Sequence, residues 1–353
     1  MRIAQVAPLF ESVPPKLYGG TERVVSYLTE ALVELGHEVT LFASGDSRTT
    51  GRLVPGWPRA LRLDGRSDFH VAPHLLELEQ VFRRRSEFDI AHFHTDPLHY
   101  PFVRRYPLPH LTTLHGRLDL PELAPLMHEY RDVPLVSVSA SQRQPLPGCR
   151  WQATVHHGLP RHLFHLQQAT DGYLAFLGRI SPEKRVDRAI EIALRLQTPL
   201  RIAAKVDNAD KVYFRDRIEP LLAHPLVDFI GEIGESEKQE LLGRAEALLF
   251  PIDWPEPFGL VMIEALACGT PVVAWNCGSV PEVIEPGVTG FVVNSVDEAV
   301  EAVREARKLS RRRCRQRFEH RFTAEGMARN YLSIYERLVE QNMARQKVEV
   351  SDA

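Results

Sequence analysis

The chain is short of cysteine: among 353 residues only Cys149, Cys268, Cys277 and Cys314 occur, and no two form a C-x-x-C pair. Neither a zinc ribbon nor a disulfide scaffold is supported, and a reducing compartment fits best. No apolar run approaches the roughly 18–20 residues of a membrane span. Met1 leads straight into Arg2-Ile3-Ala4-Gln5-Val6, which reads as a first strand and not as the charged start and apolar core of a secretory leader. A cytoplasmic location is expected. An excess of one charge is missing too: 43 Lys and Arg against 46 Asp and Glu leave a formal net charge of -3. Nothing therefore draws the whole chain to nucleic acid or to an anionic membrane. Repeats of 20–50 residues are absent, which argues against a solenoid, and the G-x-G-x-x-G fingerprint is absent, which argues against a nicotinamide enzyme.

What is present is an alternation of short apolar runs with amphipathic stretches, the pattern of helices packed on mainly parallel sheets. In the first half, strands are expected at 2–7, 38–43, 90–94, 111–114, 135–138 and 153–156. Val24, Val25, Leu28, Ala31, Leu32 and Leu35 recur at helical spacing after the first strand, and Gly36 is a natural stop. The polar, aperiodic segment 161–172 reads as a linker. Strands then restart at 173–177, 200–204, 227–230, 247–250, 271–275 and 290–293, with helices at 186–196 and 236–245. A last amphipathic helix is expected over 323–341, with the final dozen residues frayed. The expected organisation is α/β: residues 1–165 as one doubly wound Rossmann-like domain, 166–322 as a second, and 323–353 as a helix returning toward the first plus a tail. Ligands of such sheets bind beyond the carboxyl ends of the strands, so the site is expected in a cleft between two facing domains.

The most informative segment runs from Pro251 to Pro271. Three prolines, Pro251, Pro255 and Pro257, stiffen a loop after the strand ending at Phe250, and 259–267 reads as a buried helix stopped by Gly269. The amides of Phe258, Gly259 and Leu260 then form an anion or hydroxyl site at the positive helix end. Glu256 and Glu264 lie about 80° apart on a helical projection, so they do not share a face. Glu256 sits on the loop. Glu264 sits inside an apolar helix, where a carboxylate is costly without partners. Ribose hydroxyls would serve; so would a backbone amide or an arginine.

The pattern Glu256-Pro-Phe-Gly-x4-Glu264, followed by Ala-x-Ala-x-Gly-Thr-Pro-Val-Val-Ala, resembles the retaining glycosyltransferases of family 4, which have the GT-B fold. The resemblance covers nearly the whole chain. It takes in Gly19-Gly20-Thr21-Glu22, Leu114-His115-Gly116, the stretch Phe176 to Lys184, Phe229-Ile230-Gly231, Gly278-Ser-Val-Pro-Glu282 and Gly287-Val-Thr-Gly290-Phe291. It implies that Glu256 holds hydroxyls of the transferred sugar, Glu264 holds the nucleotide ribose, and Arg179 and Lys184 clamp the diphosphate, whose charge grows as the glycosidic bond breaks. It implies that His115 contacts the donor sugar, against the alternative of a structural histidine. Gly19 and Gly20 would allow the backbone to approach the diphosphate, although a simple turn explains a Gly-Gly equally well. The base is expected near Gly231 to Gly234, and Lys205, at a strand end, is a further phosphate candidate.

The implied reaction is transfer of a hexosyl unit from a nucleoside-diphosphate sugar, UDP-linked before GDP or ADP, to an acceptor hydroxyl with retention and without a metal or other cofactor. The acceptor, a glycan, a lipid-linked sugar or a small molecule, is left open. The alternatives are a sugar-nucleotide epimerase or phosphorylase on the same plan, or a silent sugar-nucleotide-binding protein. His92, His94, Asp96 and His99 superficially resemble a metal cluster but lack a second matching pair. His156-His157-Gly158 departs from the family, which often carries Asn before this glycine. The basic runs Arg83-Arg84-Arg85 and 307–317 would suit peripheral docking at the inner face of a membrane, with the solvated face of a helix as the plainer reading of the second.

Overall fold

The computed structural model describes residues 1–16, 19–64 and 70–351. The chain divides into two compact units, Met1–Pro160 with Ala324–Ala353, and Arg161–Thr323.

The first unit is a seven-stranded parallel sheet in the order β3-β2-β1-β4-β5-β6-β7. The strands are β1 (Arg2–Val6), β2 (Glu38–Ser44), β3 (Arg52–Trp57), β4 (Ile90–Phe93), β5 (His110–Thr113), β6 (Leu135–Ser137) and β7 (Trp151–Thr154). Its helices include α1 (Gly20–Glu34), α2 (Val71–Arg83) and α3 (Leu123–Glu129). β1 pairs with both β2 and β4, so the strand order reverses between β1 and β4. Burial on both faces accounts for the near-continuous apolar runs. Ala4, Val6, Phe42, Val81, Phe82, Ala91 and Phe93 form one core on this sheet. The expectation of six strands was one short. β3 carries Pro55 and Gly56, which break a strand pattern, and it is tolerated because it lies at the sheet edge.

The second unit is a six-stranded parallel sheet, β10-β9-β8-β11-β12-β13. Its strands are β8 (Leu174–Arg179), β9 (Leu200–Lys205), β10 (Val227–Gly231), β11 (Ala247–Phe250), β12 (Val272–Trp275) and β13 (Gly290–Val293). The helices used below are α4 (Val186–Leu196), α5 (Glu235–Gly243), α6 (Leu260–Cys268), α7 (Val296–Ala306) and α8 (Arg311–Arg321). Here the order reverses between β8 and β11. α6 begins one residue later than the sequence suggested, because Gly259 and Gly269 take left-handed conformations (φ 79° and 84°) and flank the helix as caps.

The C-terminal helix (Ala324–Ser351) belongs to the first unit and is longer than expected. Residues 342–351, expected to be frayed, continue the helix, and they contain no glycine or proline to end it; the last two residues of that expected tail lie outside the described residues. The polar stretch taken as a linker is also corrected. Arg315 donates to the carbonyls of Arg161 and Phe164 at 2.8 and 2.5 Å, and the amide of Gln167 donates to Cys268 O at 3.0 Å. These bonds tie its beginning into the second unit, so the change of unit falls at 160/161 instead of 165/166.

Candidate functional site

In a parallel sheet all strands point their carboxyl ends to one edge, and the edge is open for a ligand where the order reverses. In the second unit that place lies between the loops after β8 and β11. Arg179 closes β8, and Lys184 follows in a short turn through Ser181 and Pro182. Glu256 lies on the proline-rich loop after β11. Lys184 forms an ion pair with Glu256 Oε2, and the Trp254 indole donates to the same oxygen at 2.8 Å. Both bonds fall on Oε2. The Lys184 ammonium also sits over the rings of Trp254 and Phe250, at 5.1 and 5.6 Å from their centroids.

The Glu256 loop is held from behind. Its carbonyl accepts from the Ser279 amide at 3.0 Å, Ser279 Oγ donates to Phe258 O at 2.6 Å, and Cys277 Sγ donates to Trp254 O at 2.9 Å. A side chain at Gly278 would place its Cβ 2.4 Å from the backbone N and O of Glu256. Phe258 is buried. Gly259 and Leu260 then open α6, whose first amides have no intrahelical acceptor.

Arg179 is surrounded by carboxylates, Glu183 at 2.6 Å, Asp207 at 3.5 Å and Asp210 at 3.8 Å, and Lys205 at the end of β9 shares Asp207 at 3.0 Å. Burial works against charge on Glu183, yet hydrogen bonds from its backbone, Ser181 and Arg179 hold its carboxyl below the usual range. Glu264 is buried in α6 and pairs with Lys238 of α5 at 2.7 Å. Gly231, at the end of β10, has φ 77° and open space where a Cβ would stand, so the backbone is approachable there.

In the first unit Gly19 (φ 157°) caps α1 and Gly20 is its first residue, after the long loop from β1. His94 and His115 follow the ends of β4 and β5. His115 Nε2 lies 2.9 Å from His94 Nδ1, and the His157 ring stacks on His115 at 5.3 Å. Burial drives the His115 pKa down to about 3, so the imidazole is neutral. The Gln142 amide nitrogen donates to both carbonyls flanking His115, Leu114 O at 2.9 Å and Gly116 O at 2.8 Å, and so fixes the turn.

Two family models match in succession: Glycosyltransferase Family 4 over residues 18–144, and Glycosyl transferases group 1 over residues 164–321. The chain belongs to glycosyltransferase family 4. A glycogen synthase of Mycobacterium tuberculosis is 27% identical over 336 residues, which is 78% of this chain and 79% of that protein. Among solved structures, AviGT4, a glycosyltransferase involved in avilamycin A biosynthesis, superposes with a TM-score of 0.76 at 23% identity, covering 96% of this chain and 98% of that one. The Anabaena protein HepE in complex with UDP and glucose gives 0.73 at 18% identity, covering 95% and 99%. The fold is GT-B, with two Rossmann-like units.

Of the residues picked out in the sequence of this glycosyltransferase, Lys184 and Glu256 come together directly, and Arg179 and Lys205 meet through Asp207. Glu264 pairs with a cation, as its plainer reading had it, but with Lys238 and not with an arginine. Lys238, Trp254, Gln142 and His94 were not foreseen as parts of the site. His94 alone had a signal, its place beside His92. The apparent metal cluster resolves otherwise: His92 spends both ring nitrogens on Tyr335 OH (2.7 Å) and Thr113 Oγ1 (2.8 Å), and His99 Nε2 bonds Thr112 Oγ1 at 2.7 Å. The second basic run is not simply a solvated face. Arg311 turns inward and bonds Gln167 O, Gly243 O, Ala245 O and Thr270 Oγ1 at 2.5–2.8 Å. Among the described residues no helix is long and apolar enough to cross a membrane.

Proposed function

We propose that this glycosyltransferase moves a hexosyl unit from a UDP-sugar to an acceptor hydroxyl with retention at the anomeric carbon and without a metal ion. The observation that carries the reading is the Lys184–Glu256 pair at the point where the order of the second sheet reverses. Glu256 commits Oε2 to Lys184 and Trp254, which leaves Oε1 to accept from sugar hydroxyls. Lys184 and Arg179 supply positive charge to the leaving diphosphate, the role a divalent cation would otherwise fill. The first amides of α6 add their dipoles. Glu264, buried and paired with Lys238, binds the ribose hydroxyls, and Gly231 lets the base approach the backbone. With Glu256 committed to binding, the leaving diphosphate takes the acceptor proton on the same face from which it departs, which retains configuration.

HepE was crystallised with UDP and glucose, which supports placing UDP first among the bases. The acceptor is a carbohydrate or lipid-linked hydroxyl. The test is donor turnover in chelator, with UDP-, ADP- and GDP-hexoses offered in parallel and the anomeric configuration of the product read by NMR. UDP release with a retained product is expected. An inverted product, or activity that chelator abolishes and a divalent cation restores, overturns the reading.

A further inference from the structure

The buried face of the first unit holds a continuous line of hydrogen-bonded polar side chains. Gln5 of β1 lies beside His92 of β4, Thr113 of β5 is its diagonal neighbour within hydrogen-bond reach, and Tyr331 and Tyr335, one turn apart on the C-terminal helix, pack over them. All five are fully or almost fully buried, as is His94.

The order of the protons follows from the orientation of the Gln5 amide. The Gln5 amide nitrogen donates to Tyr335 OH at 3.1 Å, so its carbonyl oxygen faces His94 Nε2 at 2.9 Å and accepts. His94 therefore carries its proton on Nε2. Burial keeps His94 neutral, which leaves its Nδ1 as an acceptor, and the contact at 2.9 Å then requires His115 to donate from Nε2. In the other direction Tyr335 donates to His92 Nδ1, His92 donates from Nε2 to Thr113 Oγ1, and Thr113 lies 2.9 Å from Tyr331 OH. Gln5 is the pivot. Turning its amide over would reverse the protons on His94 and then on His115.

We infer that Tyr335, Gln5 and His94 are positioning residues that fix His115 as the Nε2–H tautomer, so that its Nδ1 is held unprotonated as an acceptor for a hydroxyl of the bound sugar. The last step rests on the proposed sugar transfer and on the donor-sugar contact that the family resemblance implies for His115; the tautomer does not. A C-terminal helix thus sets the chemistry of a group just beyond the carboxyl end of β5, because Tyr335 holds the amide that orders the chain.

Long-range proton–nitrogen correlation spectra of the imidazole rings, with His115 assigned by its loss in His115→Gln, read this directly in the full-length protein. The wild type shows His115 protonated at Nε2 and bare at Nδ1. Tyr335→Phe frees the Gln5 amide to turn over, moves a substantial fraction of His115 to the Nδ1–H form and lowers kcat about tenfold with a smaller change in donor KM. Tyr331→Phe makes the same chemical change on the same helix beyond the pivot, and leaves the His115 spectrum and kcat unaltered. An Nδ1–H tautomer in the wild type overturns the inference, even if Tyr335→Phe fails to fold. So does a Tyr335→Phe spectrum that matches the wild type. Because the spectrum reads proton order whether or not sugar is transferred, failure of the functional reading leaves this result standing, and the reverse.

Discussion

Glu256 acts from a loop that has no regular structure of its own, and its rigidity comes from its neighbours. Pro255 and Pro257 limit the backbone on either side, and the Cys277–Ser279 turn bonds the loop at Trp254, Glu256 and Phe258. Gly278 is the tightest point, with φ 58° and room for no side chain. Gly278→Ala pushes Glu256 off its bond to Lys184 and adds backbone strain on the order of 1–3 kcal/mol. The expected outcome is a lower Tm together with at least a tenfold loss of kcat/KM for the donor, and unaltered kinetics would count against the bracing. Glu256, Lys184 and Arg179 stand out in the sequence because prolines or a glycine adjoin them or lie two residues away. Their partners do not. Lys238 and Gln142 are ordinary polar residues whose roles depend on what the fold sets opposite them.

At the scale of elements, α8 shows how a basic run can be structural. Arg311 fills carbonyl acceptors left at Gln167, Gly243 and Ala245, and Arg315 fills those at Arg161, Phe164 and Ala267. Arg315 locks α8 against the helix that carries Glu264 through Ala267, and Arg311 ties it to the end of α5 and to the segments beside that helix. Arg311→Met keeps volume but leaves the buried carbonyls of Gly243 and Ala245 and the half-buried one of Gln167 without their partner, at a cost of about 1 kcal/mol or more each. Chemical denaturation of the variant is expected to show the second unit destabilised by about 3 kcal/mol; a change within 0.5 kcal/mol contradicts the assignment. Strong periodicity made the core strands and α4 readable along the chain. β3 escaped because Pro55 and Gly56 mask an edge strand, and the inward turn of Arg311 escaped because charge alone does not say which face of a helix is covered.

Across the molecule, the shifted imidazoles lie in the first unit. Burial holds His92, His94, His99, His115 and His157 neutral, with proton affinities below that of an unfolded histidine. As pH falls below about 6.5 the unfolded chain takes up protons that the folded unit refuses, so stability present above that pH is lost, by up to about 1.4 kcal/mol per pH unit for each ring. Burial raises Glu22, Glu77 and Asp96, which works in the opposite sense because their folded forms keep protons that the unfolded chain releases. Five rings outweigh three carboxyls between pH 6.5 and 5. Hydrogen exchange at pH 7 and pH 5, corrected for intrinsic rates, is expected to show the first sheet losing protection, with β4 and β5 as reporters. Equal protection at both values contradicts this balance.

The central claim is that the Lys184–Glu256 pair, at the reversal of the second sheet, is where the donor diphosphate and its sugar are held. Calorimetric titration of UDP-glucose into the wild type and into Lys184→Ala tests it most directly. Saturable one-to-one binding by the wild type is expected, with an affinity at least tenfold weaker in the variant, the loss of one charge-assisted contact of about 1.5–3 kcal/mol. Equal affinity in a variant with an unchanged Tm would contradict it.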